Sequence, residues 1–366
     1  MRRAIPKSIA DIDDAWLSCA LNEAAWVDVD EPVRIHSHDR VGADSAFGGT
    51  LFRIAYHAAG ATGSVIVKLP AVEAPTRAVH EVVGSYRREL AFYRDIAGGT
   101  APAPVRTPRP IVAEAAEDST DTVLVLEDLA PLAVADQRIG LSREQAKTVI
   151  DAFAAMHAWA WERPLLDTVG RAFPRMDSEE AAKVWSLFGQ VCTAAWPALA
   201  DRLGDEIPAD VAAVCDRFAE LIPFFVGELS SPRTIIHGEP RSDNLFIDSD
   251  GDPIFIDFQM AAQGSGAFDI AYVISQSVPT EVRRPVEESL VRRWWEGLRA
   301  GGVEDYEWKQ AWRQYRIATV WGLVYPLLVS TRWDGAGPDG RFLLDEMFRR
   351  GATCVSDLDA TALLPA

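Results

Sequence analysis

The run Ile236-His237-Gly238-Glu239-Pro240-Arg241-Ser242-Asp243-Asn244, followed shortly by Ile256-Asp257-Phe258-Gln259, constrains this chain more than any other feature. Between the two lie the strand-like segments Asn244 to Asp248 and Pro253 to Asp257, separated by the turn Ser249-Asp250-Gly251-Asp252. A hairpin of that form places Asn244 and Asp257 at adjacent ends of paired strands, where a carboxamide and a carboxylate converge on one cation. A third group, the carboxylate of Glu239, precedes them in the loop. The spacing is that of a base position and two metal ligands in phosphoryl transfer of the kinase type.

The chemistry accounts for the residue types. A phosphoryl group in flight carries dispersed negative charge, so a protein supplies metal ligands, cationic clamps and a carboxylate that aligns the attacking hydroxyl. Asp257 is the expected Mg²⁺ ligand. Asn244 adds a neutral oxygen to the same metal, which avoids another negative charge beside the phosphates. Glu239 is expected to face the acceptor hydroxyl.

These segments, with Gly264-Ser265-Gly266 and Phe268-Asp269-Ile270-Ala271 behind them, resemble the aminoglycoside phosphotransferase and choline kinase superfamily. Within it they look most like the ecdysteroid-kinase-like branch and its bacterial relatives. The superfamily loop usually reads H-G-D-x-x-x-x-N, so Glu239 stands where an aspartate is usual. The resemblance implies an α+β, protein-kinase-like fold of two lobes, with ATP (GTP as a possible substitute) and Mg²⁺ as cofactors. It covers roughly Val41 to Ile274, and its strength lies in the order of several motifs.

Upstream, Val65-Ile66-Val67-Lys68-Leu69-Pro70 reads as a buried strand that presents an ammonium at its end. Tyr86-Arg87-Arg88-Glu89-Leu90-Ala91-Phe92-Tyr93 has helical apolar spacing and resembles the family's E-x-x-F-Y helix. Lys68 and Glu89 are therefore the expected ion pair on the nucleotide phosphates. Ser45-Ala46-Phe47-Gly48-Gly49-Thr50 is not a Walker loop, since no Gly-Lys-Ser/Thr follows a glycine run. Alone it reads as a hairpin turn; its place ahead of Lys68 favours a phosphate-covering role for Phe47, Gly48 and Gly49. Thr122 to Leu126 is an apolar strand running into Glu127-Asp128-Leu129, the order of a kinase hinge whose backbone groups meet the adenine edge. A solvated strand end is the plainer reading of the two acids.

A coarse pass gives two lobes, residues 1–129 and 130–366. Strands are expected over 32–38, 50–57, 64–69, 110–114 and 122–126, surrounding the one helix that carries Glu89. Ser8 is placed to cap a helix with an apolar stripe of Ile9, Ile12, Trp16, Leu17 and Leu21. From Ser142, which forms a capping box with Gln145, helical spacing dominates except around the loop and hairpin.

Composition sets broader limits. With 366 residues, 48% of them hydrophobic, the chain buries enough for two lobes. A formal charge of -18 argues against nucleic acid or an anionic membrane as partner. Cys19, Cys192, Cys215 and Cys354 are scattered, with no C-x-x-C and no histidine cluster, which favours reduced thiols over zinc or disulfides. No secretory h-region or membrane-spanning run is apparent, so a cytoplasmic location is expected by default.

Several residues have two readings. His237 beside a glycine favours fixing backbone over catalysis. Arg241 is placed equally well to touch the phosphate or to pair with an acid. Asp243 competes with Glu239 as base, although similar bacterial loops carry an aspartate there in support. Asp269 resembles the family's loop-bracing aspartate. His36 and His38 read as solvent-facing, and Asp248 to Asp252 as a plain turn, its glycine being misplaced for a calcium loop. Ten of the twelve tryptophans lie beyond Ala158 and read mostly as helix-packing core. A minority walling the acceptor site would suit a steroid-like or macrolide-like alcohol, whereas the acidic balance would suit an aminoglycoside or amino alcohol. The rival function is a nucleotide-binding pseudokinase acting as a regulatory or scaffold module.

Overall fold

Five segments pair into one antiparallel sheet in the order β1-β2-β3-β5-β4: β1 (Arg34–Val41), β2 (Gly49–Ala58), β3 (Ala61–Pro70), β4 (Pro110–Ala115) and β5 (Thr122–Glu127). The structure is a computed structural model, and it describes residues 3–27, 32–41, 49–58, 60–99, 102–169 and 172–365. Contacts divide the chain into two units, one of Met1–Pro102, Thr107–Pro131 and Phe258–Met260, the other of Ala103–Arg106, Leu132–Asp257 and Ala261–Ala366.

The period of two along β3 sets the first unit. Val65, Val67 and Leu69 join Ile54, Val123 and Val125 in a core that helix α1 (Asp14–Glu23) covers with Leu17, Ala20 and Leu21. Lys68 alternates to the opposite face, paired in register with Leu51 on one side and Leu124 on the other. β5 is buried along almost its whole length, which explains its unbroken apolar run.

Two expectations change here. The stripe from Ser8 is not one helix: Asp11 turns its carboxylate back to the Lys7 and Ser8 amides at 2.9 Å each, closing a 3-10 turn, and Asp13 caps α1 by accepting the Trp16 amide at 2.8 Å. Local caps thus divide what periodicity alone reads as continuous. The single expected helix before β4 is two, α2 (Ala74–Val83) and α3 (Ser85–Ala91), broken at Gly84, whose φ of 75° favours glycine. A π-helical turn, Phe92–Ala97, continues α3.

The second unit is mostly helical. Helix α4 (Arg143–Ala160) starts at the expected capping box, with Gln145 accepting the Ser142 amide at 2.9 Å and Ser142 accepting the Gln145 amide at 3.3 Å. Strand β6 (Thr234–Ile236) pairs with β9 (Ala262–Gly264), and β7 (Leu245–Ile247) with β8 (Pro253–Phe255). Between β7 and β8, Asp248 accepts the Asp250 and Asp252 amides at 2.9 Å each and pairs with Arg106, so its carboxylate shapes the turn. The tryptophans are less deeply placed than expected: beyond Ala158 only Trp196, Trp294 and Trp321 are buried, and the other seven are half-buried. Trp295, Trp308 and Trp312 instead run as a partly exposed ladder ending on Tyr315. His36 and His38 are exposed.

Asp128 closes the sheet unit at the end of β5. Its carboxylate accepts from Arg53 Nε at 2.6 Å, Arg53 Nη2 at 3.1 Å, Ser64 Oγ at 2.7 Å and the Ala130 amide at 3.1 Å. Burial alone would raise its pKa, but these bonds outweigh it and hold the group below the ordinary 3.8. A depressed folded pKa adds stability that is present above the unfolded value and lost as pH falls through the folded one. Asp128→Ala should therefore lower unfolding free energy by about 2 kcal/mol at neutral pH. In urea titrations the gap to the parent should narrow as the pH drops below 3.8.

Candidate active site

Lys68 Nζ lies 2.7 Å from Glu89 Oε2, an ion pair in which both side chains are largely buried. The sheet delivers the lysine and α3 the glutamate, and Tyr86 Oη, one turn before Glu89, accepts the Ala71 amide at 3.0 Å, tying α3 to the end of β3. A Cβ on Gly49 would come within 3.3 Å of the Lys68 Cε and 3.0 Å of the Leu69 carbonyl, so glycine keeps the lysine's path open. Phe47 and Gly48 lie outside the described residues.

The two acids at the end of β5 have partners within the sheet unit. Glu127 accepts the Arg109 amide at 3.1 Å, while its own amide donates to the Arg109 carbonyl at 3.0 Å. Asp128, held by Arg53 and Ser64, is not a solvated strand end, the Glu127 bond lies at the exposed side, and Leu129 follows half-buried.

In the second unit the loop after β6 is fixed from within. The Glu239 carbonyl accepts both the Arg241 amide and Asn244 Nδ2 at 2.9 Å each, so Asn244 has its nitrogen engaged and its oxygen turned the other way. The Ile256 amide donates to the Asn244 carbonyl at 3.1 Å, extending the β7–β8 pairing and bringing Asn244 and Asp257 to neighbouring strand ends. Asp257 has φ of 66°, a left-handed conformation that strains a residue with a Cβ. The next residue, Phe258, packs in the sheet unit, stacked on Phe92 with ring centroids 3.4 Å apart.

His237 sets backbone geometry. Its Nδ1 accepts the Glu239 amide at 3.3 Å, so Nε2 carries the proton and donates to the Ile256 carbonyl at 3.0 Å. Burial pushes its pKa down and keeps the ring neutral. Asp269, fully buried, accepts the His237 amide at 2.7 Å and the Gly238 amide at 3.0 Å. Arg241 lies with Nε 3.5 Å from Glu239 Oε1 and 3.2 Å from Asp243 Oδ1. Burial works against its charge, but the two carboxylates outweigh that and hold the guanidinium firmly protonated.

Four neighbours of this loop went unrecognised in the sequence. His157, there only one more position on the α4 stripe, donates from Nε2 to Asp269 at 3.2 Å and accepts from Trp294 Nε1 at 3.0 Å. Gln137 Oε1 accepts the Ser242 amide at 2.8 Å, and Gln137 Nε2 donates to the Gln276 carbonyl at 2.9 Å. Tyr325 donates to the Gly238 carbonyl at 2.6 Å. Arg332 lies near Glu239, and burial outweighs that carboxylate and lowers the arginine's pKa. A polar residue on a buried stripe was the one signal available, and it pointed only to His157.

The sequence model of the Ecdysteroid kinase-like family matches residues 45–301 of this chain. The chain belongs to the ecdysteroid kinase-like family. That places it among the small-molecule kinase-like phosphotransferases. No curated protein sequence matches it. Among solved structures, a Ralstonia eutropha protein provisionally assigned as an aminoglycoside phosphotransferase superposes with TM-score 0.53 at 14% identity, over 96% of this chain and 98% of that one. Plasmodium vivax ethanolamine kinase gives 0.51 at 13%, over 95% and 89%. An aminoglycoside 2'-phosphotransferase IIIa variant in complex with GDP gives 0.51 at 14%, over 95% and 98%. These likenesses establish the two-lobed kinase-like fold for this ecdysteroid kinase-like protein.

The Asp269 brace predicts a local and a global effect. Asp269→Ala leaves two buried amides and His157 without their acceptor, and should destabilise the protein by about 3 kcal/mol. In hydrogen exchange the amides of His237 and Gly238 should lose protection before those of β3. Unchanged exchange at those two amides would refute the brace.

Proposed function

We propose that this ecdysteroid kinase-like protein transfers the γ-phosphoryl group of ATP to a hydroxyl of a small molecule. The observation that carries the reading is the Lys68–Glu89 pair at 2.7 Å, an ammonium fixed on the sheet by a helix carboxylate. The pair orients a cation for the α- and β-phosphates, the arrangement that kinase-type phosphoryl transfer requires. With both hinge carboxylates engaged inside the sheet unit, adenine recognition is assigned to main-chain groups near Glu127, Asp128 and Leu129, and a guanine base is the alternative to test.

The metal donors fit a hard cation held by few protein ligands. Asp257 offers a carboxylate and Asn244 an amide oxygen whose nitrogen is bonded elsewhere, a set suited to Mg²⁺ completed by phosphates and water. When bound, Mg²⁺ neutralises charge on the phosphates. Glu239 aligns the acceptor hydroxyl and takes its proton as the new P–O bond forms and the bond to the β-phosphate oxygen breaks. In a loose transition state that carboxylate matters chiefly for position, so one extra methylene over aspartate is tolerable. No helix among the described residues is long and apolar enough to cross a membrane. We assign the protein to the cytoplasm, with neither nucleic acid nor membrane as partner.

The test is transfer from labelled Mg·ATP and Mg·GTP to a panel of aminoglycosides, macrolides, steroid alcohols and amino alcohols. Asp257→Ala should reduce transfer by about 100-fold or more. Lys68→Ala and Glu89→Ala should be non-additive, with a coupling of roughly 1 kcal/mol in kcat/KM. Nucleotide binding without transfer across the panel would favour the pseudokinase reading, and no nucleotide binding would refute both.

A further inference from the structure

We propose that Arg241 is the positioning residue that fits a glutamate to the hydroxyl-facing place in this loop. The inference rests on the kinase reading above and adds a reason for the residue by which this loop departs from H-G-D-x-x-x-x-N.

The main chain on either side of Glu239 cannot slide to absorb a longer side chain. Asp269 holds the His237 and Gly238 amides, Gln137 holds the Ser242 amide, and the Glu239 carbonyl is bonded to Arg241 N and Asn244 Nδ2. The extra methylene and its extra rotatable bond must therefore be fixed at the carboxylate end. Arg241 lies there, its Nε between Glu239 Oε1 at 3.5 Å and Asp243 Oδ1 at 3.2 Å, with its side chain only 4% exposed.

Asp243 gives the arrangement its direction. A guanidinium buried beside a single carboxylate has only that group to hold it, whereas here Asp243 Oδ1 also lies 3.2 Å from the same Nε. Glu239 is thus drawn toward a fixed cation instead of carrying a mobile one with it. The planar guanidinium cannot lose its charge under any ordinary condition, so the restraint persists across the working pH range. Tyr272, whose hydroxyl is buried against the same cluster and has no hydrogen-bond partner in the described structure, stays neutral, because burial pushes its pKa well above 10. An aspartate at position 239 would be one methylene shorter and would sit farther from Arg241. In this loop it should be the less well-placed base.

The experiment is a cycle of Glu239→Asp, Arg241→Met and the double variant, with Arg241→Lys as the conservative control. Turnover is measured on the acceptor found by the panel. In the parent background Glu239→Asp should lower kcat about tenfold, and in the Arg241→Met background less than about twofold, because the restraint that distinguishes the two side chains is gone. KM for ATP should stay within about twofold throughout, and Arg241→Lys should restore part of the loss. A merely structural arginine would change KM and thermal stability without changing the ratio between Glu239 and Asp. Equal loss from Glu239→Asp in both backgrounds overturns the proposal. If Arg241→Met does not fold, Arg241→Lys carries the same comparison, with a smaller difference expected. Thermal unfolding of the same variants reads the contact without turnover, and additive shifts overturn it whatever the activity. A parent that binds Mg·ATP but phosphorylates nothing overturns the kinase reading and the positioning role, while non-additive unfolding shifts would still report the contact.

Discussion

A single buried carboxylate, that of Asp269, is the interaction on which the candidate active site depends. It has no exposed surface, and three donors meet it: the His237 amide, the Gly238 amide and His157 Nε2. Burying a carboxyl group away from water is costly, and those three donors replace the water it loses. The dependence is mutual, since both loop amides donate to it. Trp294 fixes the His157 tautomer from behind, so the brace reaches from the loop through α4 to the helix Glu287–Ala300. Gly238, with φ of 84°, can take the turn that brings consecutive amides onto one carboxylate; a Cβ there would be strained.

Strain at Asp257 has the same logic. A left-handed aspartate costs on the order of 1–3 kcal/mol and endures only where its neighbours over-determine it. Behind it, Ile256 is held through its amide by Asn244 and through its carbonyl by His237. Ahead, Phe258 stacks on Phe92, in the π-helical turn that continues the Glu89 helix. Asp257 is thus held through Ile256, and an orientation fixed in advance suits the metal-ligand role proposed for it.

What the sequence disclosed follows from how local each signal is. The five strands, the capping box at Ser142, the hairpin and the Lys68–Glu89 pair all rest on short-range periodicity or on motif order, and their expected positions agree with the structure to within a few residues. The Ser8 helix failed because two aspartates offered caps that compete with helix continuation, a side-chain effect that periodicity does not see. The tryptophans failed for a different reason: size predicts burial on average, but an indole at a helix surface is satisfied by cation and ring contacts such as Arg292 over Trp308 at 4.0 Å. Gln137 and His157 were illegible because their partners lie more than a hundred residues away in Ser242 and Asp269. Nothing in one sequence pairs such positions.

Glutamate at position 239 is the point where local rule and global structure disagree, and the kinase reading proposed above takes it as accommodated in the loop. A carboxylate that has lost its role in a loop this rigid would be free to turn toward solvent, where its hydration is best. Instead it is 8% exposed, in ion-pair range of a guanidinium that is itself buried and shared with a second acid. Keeping a guanidinium and two acids out of water is unfavourable unless their mutual geometry is maintained, so the cluster resists rearrangement as a unit. The loop main chain, pinned at His237, Gly238 and Ser242, leaves the side chain as the one place where the additional length can be absorbed. The longer acid is thus held where a shorter one would serve in a differently spaced loop, and its charge remains directed by the same buried framework that orients Asn244.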